Sequence, residues 1–229
     1  MPTPEPLTPA DRYGEWFTDA IRKRGHGYDV IWLGVIDWHF RIQRPQHLAT
    51  HLADLGHRVF YLSILFEAAD EKGRFRIIES PHQGVFEIRA RLHVNPAETI
   101  YQGLSAPAVT ELQLVLDELV AVLDVHAPIV VVEHPAWHPV ACAVPGATVI
   151  YDCLDLATGF SNVAKPIADL EEALIADADL VITASRPLAD LLASQRACPT
   201  TTIGACTSRT ATSSSSTNCS SATAGALRP

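Results

Sequence analysis

Six polar side chains stand where apolar runs break off, and they are the residues most able to do chemistry. Arg41, Gln43 and Arg44 follow the run Val30 to Val35, His134 follows Pro128 to Val132, Asp152 follows Thr148 to Tyr151, and Ser185 follows Leu180 to Thr183. Two arginines flanking the start of a helix suit an anionic or hydroxyl-rich ligand, because their charge adds to the dipole of the helix N-terminus. The competing reading pairs them with local carboxylates such as Asp37. An imidazole just past a buried strand, as at His134, could donate a hydrogen bond to developing charge, or could be a satisfied structural histidine. Asp152 and Asp155 form a carboxylate pair, of which Asp155 is equally well a helix N-cap. Glu171 and Glu172 read as a solvated helix face, with a crevice role for one of them as the alternative.

Several chemistries are disfavoured by what the pattern lacks. A dinucleotide fingerprint needs G-x-G-x-x-G straight after the first strand, so that pyrophosphate can approach backbone N–H groups. Only Gly34 is present there. There is no G-x-x-x-x-G-K-[ST] for a P-loop, and Ser185 has no G-x-S-x-G context for a nucleophile. His134 with His138 and His47 with His51 have i, i+4 spacing, but Pro135 and Pro139 interrupt the first pair, and neither has an evident third metal ligand.

These residues have to be positioned by alternating strands and helices. Val30 to Val35 is short, apolar and β-branched; Gln43 to Leu55 has apolar residues at helical spacing, with Leu48, Leu52 and Leu55 on one face. Gly56 stands at a left-handed C-cap position, and Arg58 to Leu62 returns as a second strand. This βαβ unit places the loop 36–42 in the crevice beyond the strand ends, where open α/β sheets bind ligands. A charged connection from Phe66 to Gly73 leads to a hairpin of Phe75 to Ile78 and Val85 to Ala90. Leu92 to Ser105 reads as a long loop at the rim. Helices are expected at Pro107 to Leu123, with Leu112, Val115, Leu116, Leu119 and Leu123 buried, at Ile167 to Ala178, and from Arg186 to Ser194. Together these predict an α/β fold: a doubly wound, mostly parallel Rossmann-like sheet.

The flanks differ from this domain. Residues 1–27 comprise a proline-rich segment and an amphipathic helix, with Thr8 and Asp11 as a capping box, Pro9 at the first position, and Tyr13, Trp16, Phe17, Ala20 and Ile21 on one face. Arg22, Lys23 and Arg24 would fill its last turn before Gly25. That helix packs on the sheet, or else residues 9–24 make peripheral contact with an anionic membrane surface. Residues 200–229 hold 15 Ser or Thr and no acidic residue, so they cannot bury enough to offset ordering entropy, and disorder is expected.

Composition narrows the class. The 229 residues are 48% hydrophobic and 19% charged, sufficient for one good core. A net charge of -9 argues against a general nucleic-acid binder. No apolar run reaches the roughly 20 residues of a membrane span and no signal-peptide core is present, so a cytoplasmic location is the default. The five cysteines form no CxxC and no compact even framework, which reads as reduced thiols.

Four segments in order, R-x-Q-R-P-Q-H-L-A at 41–49, L-G-H-R-V-F-Y at 55–61, V-I-Y-D-C-L-D at 149–155 and E-E-A-L-I-A-D-A-D-L-V-I-T-A-S at 171–185, give a resemblance to the N-terminal domain of family 4 (group 1) glycosyltransferases. The resemblance covers about Tyr28 to Gln195. It implies the N-terminal half of a GT-B fold, an acceptor-side domain over 28–199 facing a donor domain across a cleft. It implies transfer of a glycosyl group with retention, from a nucleotide-sugar donor to a glycan or lipid-linked acceptor, with no further cofactor and no metal. His134 would face the transferred sugar as the catalytic candidate. Gly34, Arg41, Gln43, Arg44, Asp152 and Ser185 would line the substrate cleft. The resemblance ends near residues 196–205, where such proteins continue through a Pro-Asn-Gly-like turn into the donor domain. A truncated product, from a reading-frame shift there, is therefore expected, inactive alone. A non-catalytic glycan- or nucleotide-binding module is the alternative.

Overall fold

Strand β1, Asp29–Leu33, is buried along its whole length, because it lies in the middle of the sheet with a parallel neighbour on each side. The structure, a computed structural model, describes residues 7–18, 21, 27–70, 72–94, 100–159, 165–193 and 200–202. The other strands are β2 (Arg58–Leu62), β3 (Glu67–Ala68), β4 (Phe75–His82), β5 (Val85–Leu92), β6 (Ile129–Val132), β7 (Thr148–Cys153), β8 (Leu180–Thr183) and β9 (Thr200–Thr202). Their order is β3-β5-β2-β1-β6-β7-β8-β9, all parallel, with β4 antiparallel on β5. From β1 the chain winds outward to β2 and β5, then crosses back to β6 on the other side of β1. The strand order therefore reverses between β1 and β6, and this is where a doubly wound sheet opens its crevice.

Alternation along the strands divides the core into two layers. Ile31, Leu33, Phe60, Leu62, Val130 and Val132 face the helices α3 (Ala106–Val122) and α5 (Lys165–Asp177), between which the one-turn α4 (His138–Ala141) falls in the chain. Val30, Trp32, Val59, Tyr61 and Val131 face α2 (Arg44–Asp54). In α3 the expected residues Leu112, Val115, Leu116 and Leu119 are buried, as is Leu123 at its cap. In α2 the prediction fails at one end. Leu55 is exposed, and the helix buries Pro45, Gln46 and Ala49 more deeply than Leu48 and Leu52. That thinner cover leaves an apolar groove of about 530 Å³ beside α2, bordered by Trp32, Leu48, Leu52, Val131, Ile150 and Ile182.

The L-G-H-R segment serves the opposite, amino end of the sheet. Gly56 has φ +92 at the end of α2, and His57 Nδ1 accepts from the Tyr28 amide at 2.8 Å. Buried Arg58 pairs with Asp29 at 2.7 Å and donates to the carbonyls of Ile21 and Leu123.

Four expectations need correcting. The first helix, α1, spans only Pro9–Tyr13 rather than 9–24. Its capping box is as predicted, but Gly14 turns the chain at φ +94, where a Cβ would stand 2.7 Å from the Ile77 carbonyl oxygen. Tyr13 stacks on Phe75 and Ile21 is buried, so both pack on the sheet, whereas Trp16 is exposed. Ala20 and the basic residues 22–24 lie outside the described residues. Second, Glu171 is buried, accepting from the Tyr151 hydroxyl at 3.0 Å and the Ala157 amide at 2.8 Å; Glu172 alone is on the exposed face. Third, the connection after β2 carries β3, and the loop after Leu92 holds a 3₁₀ turn at Ile100–Gln102. Fourth, Thr200–Thr202 is an edge strand, not disordered; the expectation for 203–229 falls outside the described residues. Cys142 and Cys153 are free thiols, while the other three cysteines lie outside the described residues.

Candidate functional site

The carboxyl ends of β1, β6, β7 and β8 are neighbours on one edge of the sheet, and they carry Gly34, Glu133 with His134, Asp152 and Ser185. The loop after β1 reaches over the same edge and returns through Arg41, Gln43 and Arg44 into α2. Gln46, buried on α2, ties this loop down: its side chain donates to the Trp38 and Arg41 carbonyls at 3.1 Å each and accepts from the Gln43 amide at 3.0 Å. Gln43 contributes here through its backbone, as the N-cap residue of α2.

Arg44 and Asp152 bind each other. The guanidinium donates through Nη2 at 2.6 Å and Nε at 3.2 Å to the two carboxylate oxygens, with the Asp152 side chain fully buried. Asp37, the partner considered from sequence, instead accepts from the Ser63 hydroxyl at 3.1 Å and lies 3.6 Å from Arg89. Burial raises the Asp152 carboxyl above its ordinary range, and Arg44 pulls it back down.

Beside this pair lies Glu133, a residue that the sequence pattern did not single out. It ends β6 almost fully buried; Oε2 accepts from the Val35 amide at 2.9 Å, and Oε1 has no hydrogen-bond partner. Burial, and then the charge of Asp152, push its carboxyl up to about 8, so at neutral pH it is largely a protonated acid. A signal was present: Glu133 directly follows four consecutive β-branched residues, Ile129 to Val132, the pattern of a strand buried on both faces.

His134 caps the short 3₁₀ turn Pro135–Trp137, its Nδ1 accepting from the Ala136 amide at 3.2 Å. Burial lowers its pKa to about 4, which leaves a neutral imidazole at physiological pH. Tyr101, from the long rim loop, stands edge-on to that ring at 5.8 Å and donates its hydroxyl to the Val35 carbonyl. Gly34 is where Trp137 Nε1 donates, at 2.8 Å, and where a Cβ would meet the Tyr61 hydroxyl at 2.6 Å. Its small size thus serves packing within the wall of the crevice.

Gly34, Arg44, Glu133, His134 and Asp152 form one connected patch. Arg41 and Ser185 share the rim without joining that network among the described residues. Arg41 is exposed and lies along the exposed Phe40 ring at 6.0 Å. Ser185 is exposed at the end of β8, where its carbonyl accepts from the Thr183 hydroxyl and the Ala189 amide and opens helix α6, Arg186–Ala193. His138 pairs with Asp177 at 2.9 Å, away from His134.

The arrangement can meet a polar ligand with the partly exposed Arg44 guanidinium and a neutral imidazole, backed by two buried carboxyl groups, one paired with Arg44 and one held protonated. With its parallel sheet, helices on both faces and reversal point at β1 and β6, the chain has an α/β Rossmann-like fold. No family model and no curated protein matches the chain. Among solved structures it is similar to sucrose-phosphate synthase from Thermosynechococcus elongatus, with a TM-score of 0.56 and 13% identity, over 78% of this chain and 48% of that one. A second sucrose-phosphate synthase chain from the same organism gives a TM-score of 0.53 and 17% identity, over 78% of this chain and 90% of that one. The chain thus spans about half the length of the first of these. No helix among the described residues is long and apolar enough to cross a membrane.

Proposed function

We propose that this chain is the acceptor-side domain of a retaining, nucleotide-sugar-dependent glycosyltransferase of the group 1, family 4 type, acting on a glycan or lipid-linked acceptor in the cytoplasm. The observation that carries this reading is the connected patch of Arg44, Asp152, Glu133 and His134 at the reversal point of a glycosyltransferase-like sheet. In this reading the neutral His134 faces the transferred sugar, and its free ring nitrogen hydrogen-bonds a sugar hydroxyl. Protonated Glu133 backs the crevice wall from behind, holding the Val35 amide through Oε2 without adding a negative charge beside the donor phosphates. Arg44, held by Asp152, places its positive charge near the donor phosphates, where it offsets the charge gathering on the leaving diphosphate. Arg41 and Ser185 extend the contact along the rim. Sugar transfer would use a donor domain on the far side of the cleft.

Calorimetric titration with nucleotide-diphosphate sugars and with oligosaccharide acceptors tests the reading. Saturable acceptor binding is expected, together with nucleotide-sugar binding that is weakened at least tenfold in H134A but less in H134N, whose side-chain oxygen can still cap Ala136. Absence of binding to every sugar tried, or binding indifferent to His134, would contradict it. Acceptor binding with no transfer even when a donor domain is added would favour a non-catalytic glycan-binding module.

A further inference from the structure

A second polar cluster lies under the loop that follows β1, on the face of the sheet that α2 covers. Glu79 on β4 and Glu87 on β5 are direct cross-strand partners, and the β4 register shifts on both sides of Glu79. Two carboxylates opposite one another on paired strands repel, and irregularities of this kind re-aim side chains. The Glu87 side chain is wholly inaccessible to solvent, yet neither of its oxygens has a hydrogen-bond partner. Its neighbours are the Arg89 guanidinium, 3.7 Å away, and the His39 imidazole, 3.8 Å away. Arg89 is shared with Asp37 at 3.6 Å and Glu67 at 3.9 Å, and Glu67 itself also pairs with Arg76 and Arg91. The cluster is therefore short of positive charge at its buried end.

His39 reaches into this deficit from the loop. Its amide donates to Asp37 Oδ1 at 3.0 Å, Trp38 beside it is buried against Tyr61, and its Nε2 contacts Glu79 Oε1 and stands 3.8 Å from Glu87 Oε2. One nitrogen and two carboxylate oxygens thus lie within 4.8 Å of one another. Ligand atoms about 2.1 Å from a tetrahedral ion stand about 3.4 Å apart, so small side-chain shifts would close the set.

We propose that His39 Nε2, Glu79 and Glu87 bind a divalent transition-metal ion of the zinc type, leaving a fourth position to water. One imidazole and two carboxylates form a borderline-hard donor set that suits Zn²⁺ or Co²⁺ better than Ca²⁺, which takes six to eight oxygens. The ion would neutralise the buried carboxylates and tie the loop 37–40, which leads into Arg41 and Arg44, to the edge hairpin. This site is independent of the glycosyltransferase reading.

Titrating chelator-treated full chain with Zn²⁺ by calorimetry tests the proposal. Binding of one ion per chain is expected, with affinity reduced at least tenfold in H39A, on the exposed loop, and in E87Q. The C142S variant should bind normally, because His138, Cys142 and Asp177 form the other cluster among the described residues that could compete. The Co²⁺ complex should show tetrahedral or five-coordinate d–d bands without thiolate charge transfer. No saturable Zn²⁺ binding, binding unchanged in H39A, or loss of binding in C142S would overturn it.

Discussion

At the scale of single residues, the rim is defined by groups whose protonation differs from their ordinary state. Glu133 has a folded-state pKa raised from 4.5 to about 8. The unfolded chain releases this proton near pH 4.5 and the folded chain holds it, so the stability linked to Glu133 is present below pH 4.5 and is lost as pH rises towards 8. At about 1.4 kcal/mol per pKa unit, the loss is on the order of 5 kcal/mol. E133Q keeps an acceptor for the Val35 amide and removes the titration. Its thermal denaturation midpoint should therefore exceed that of the unmodified chain at pH 9 and differ little at pH 4.5; parallel curves at all pH values would refute the buried-acid description. His134 works in the opposite direction, since burial holds it neutral to about pH 4 and the stability linked to it is lost as pH falls from 6.5.

At the scale of elements, the loop after β1 depends on close packing as much as on charge. The Tyr61 hydroxyl donates to the Ile36 carbonyl at 2.9 Å and sits where a Gly34 Cβ would be. G34A should cost about 1–3 kcal/mol in denaturant unfolding, as over-packing does, and release the Tyr61 hydrogen bond; an unchanged midpoint would mean that the loop yields freely. The same scale shows what was readable beforehand. The buried face of α3 follows from the spacing of Leu112, Val115, Leu116 and Leu119, and β1, β6, β7 and β8 follow from short β-branched runs. Their polar ends follow in turn, which is why His134, Asp152 and Ser185 could be placed on one edge. Features governed by distant partners were not readable. The end of α1 is set by the Ile77 carbonyl, the burial of Glu171 by Tyr151 and Ala157, and the Arg44 partner by a residue 108 positions away. Thr200–Thr202 was misread because its composition is polar, although β-branched threonines fit an edge strand.

At the scale of the molecule, the fold brings two faces of differing character to one edge. The covered face closes over α3 and α5, whereas the face bearing α2 keeps an apolar groove and the buried carboxylate Glu87. The reversal of strand order between β1 and β6 explains why the charge pair, the imidazole and the buried acid gather there although they lie far apart in sequence. Mapping amide chemical-shift changes on ¹⁵N-labelled chain during titration with nucleotide-diphosphate sugars and oligosaccharides tests this account most directly. Shifts concentrated at Gly34, Val35, Glu133, His134 and Asp152, and extending to Ser185, are predicted. Saturating shifts confined to the amino edge around Asp29 and Arg58, or none with any sugar ligand, would contradict it.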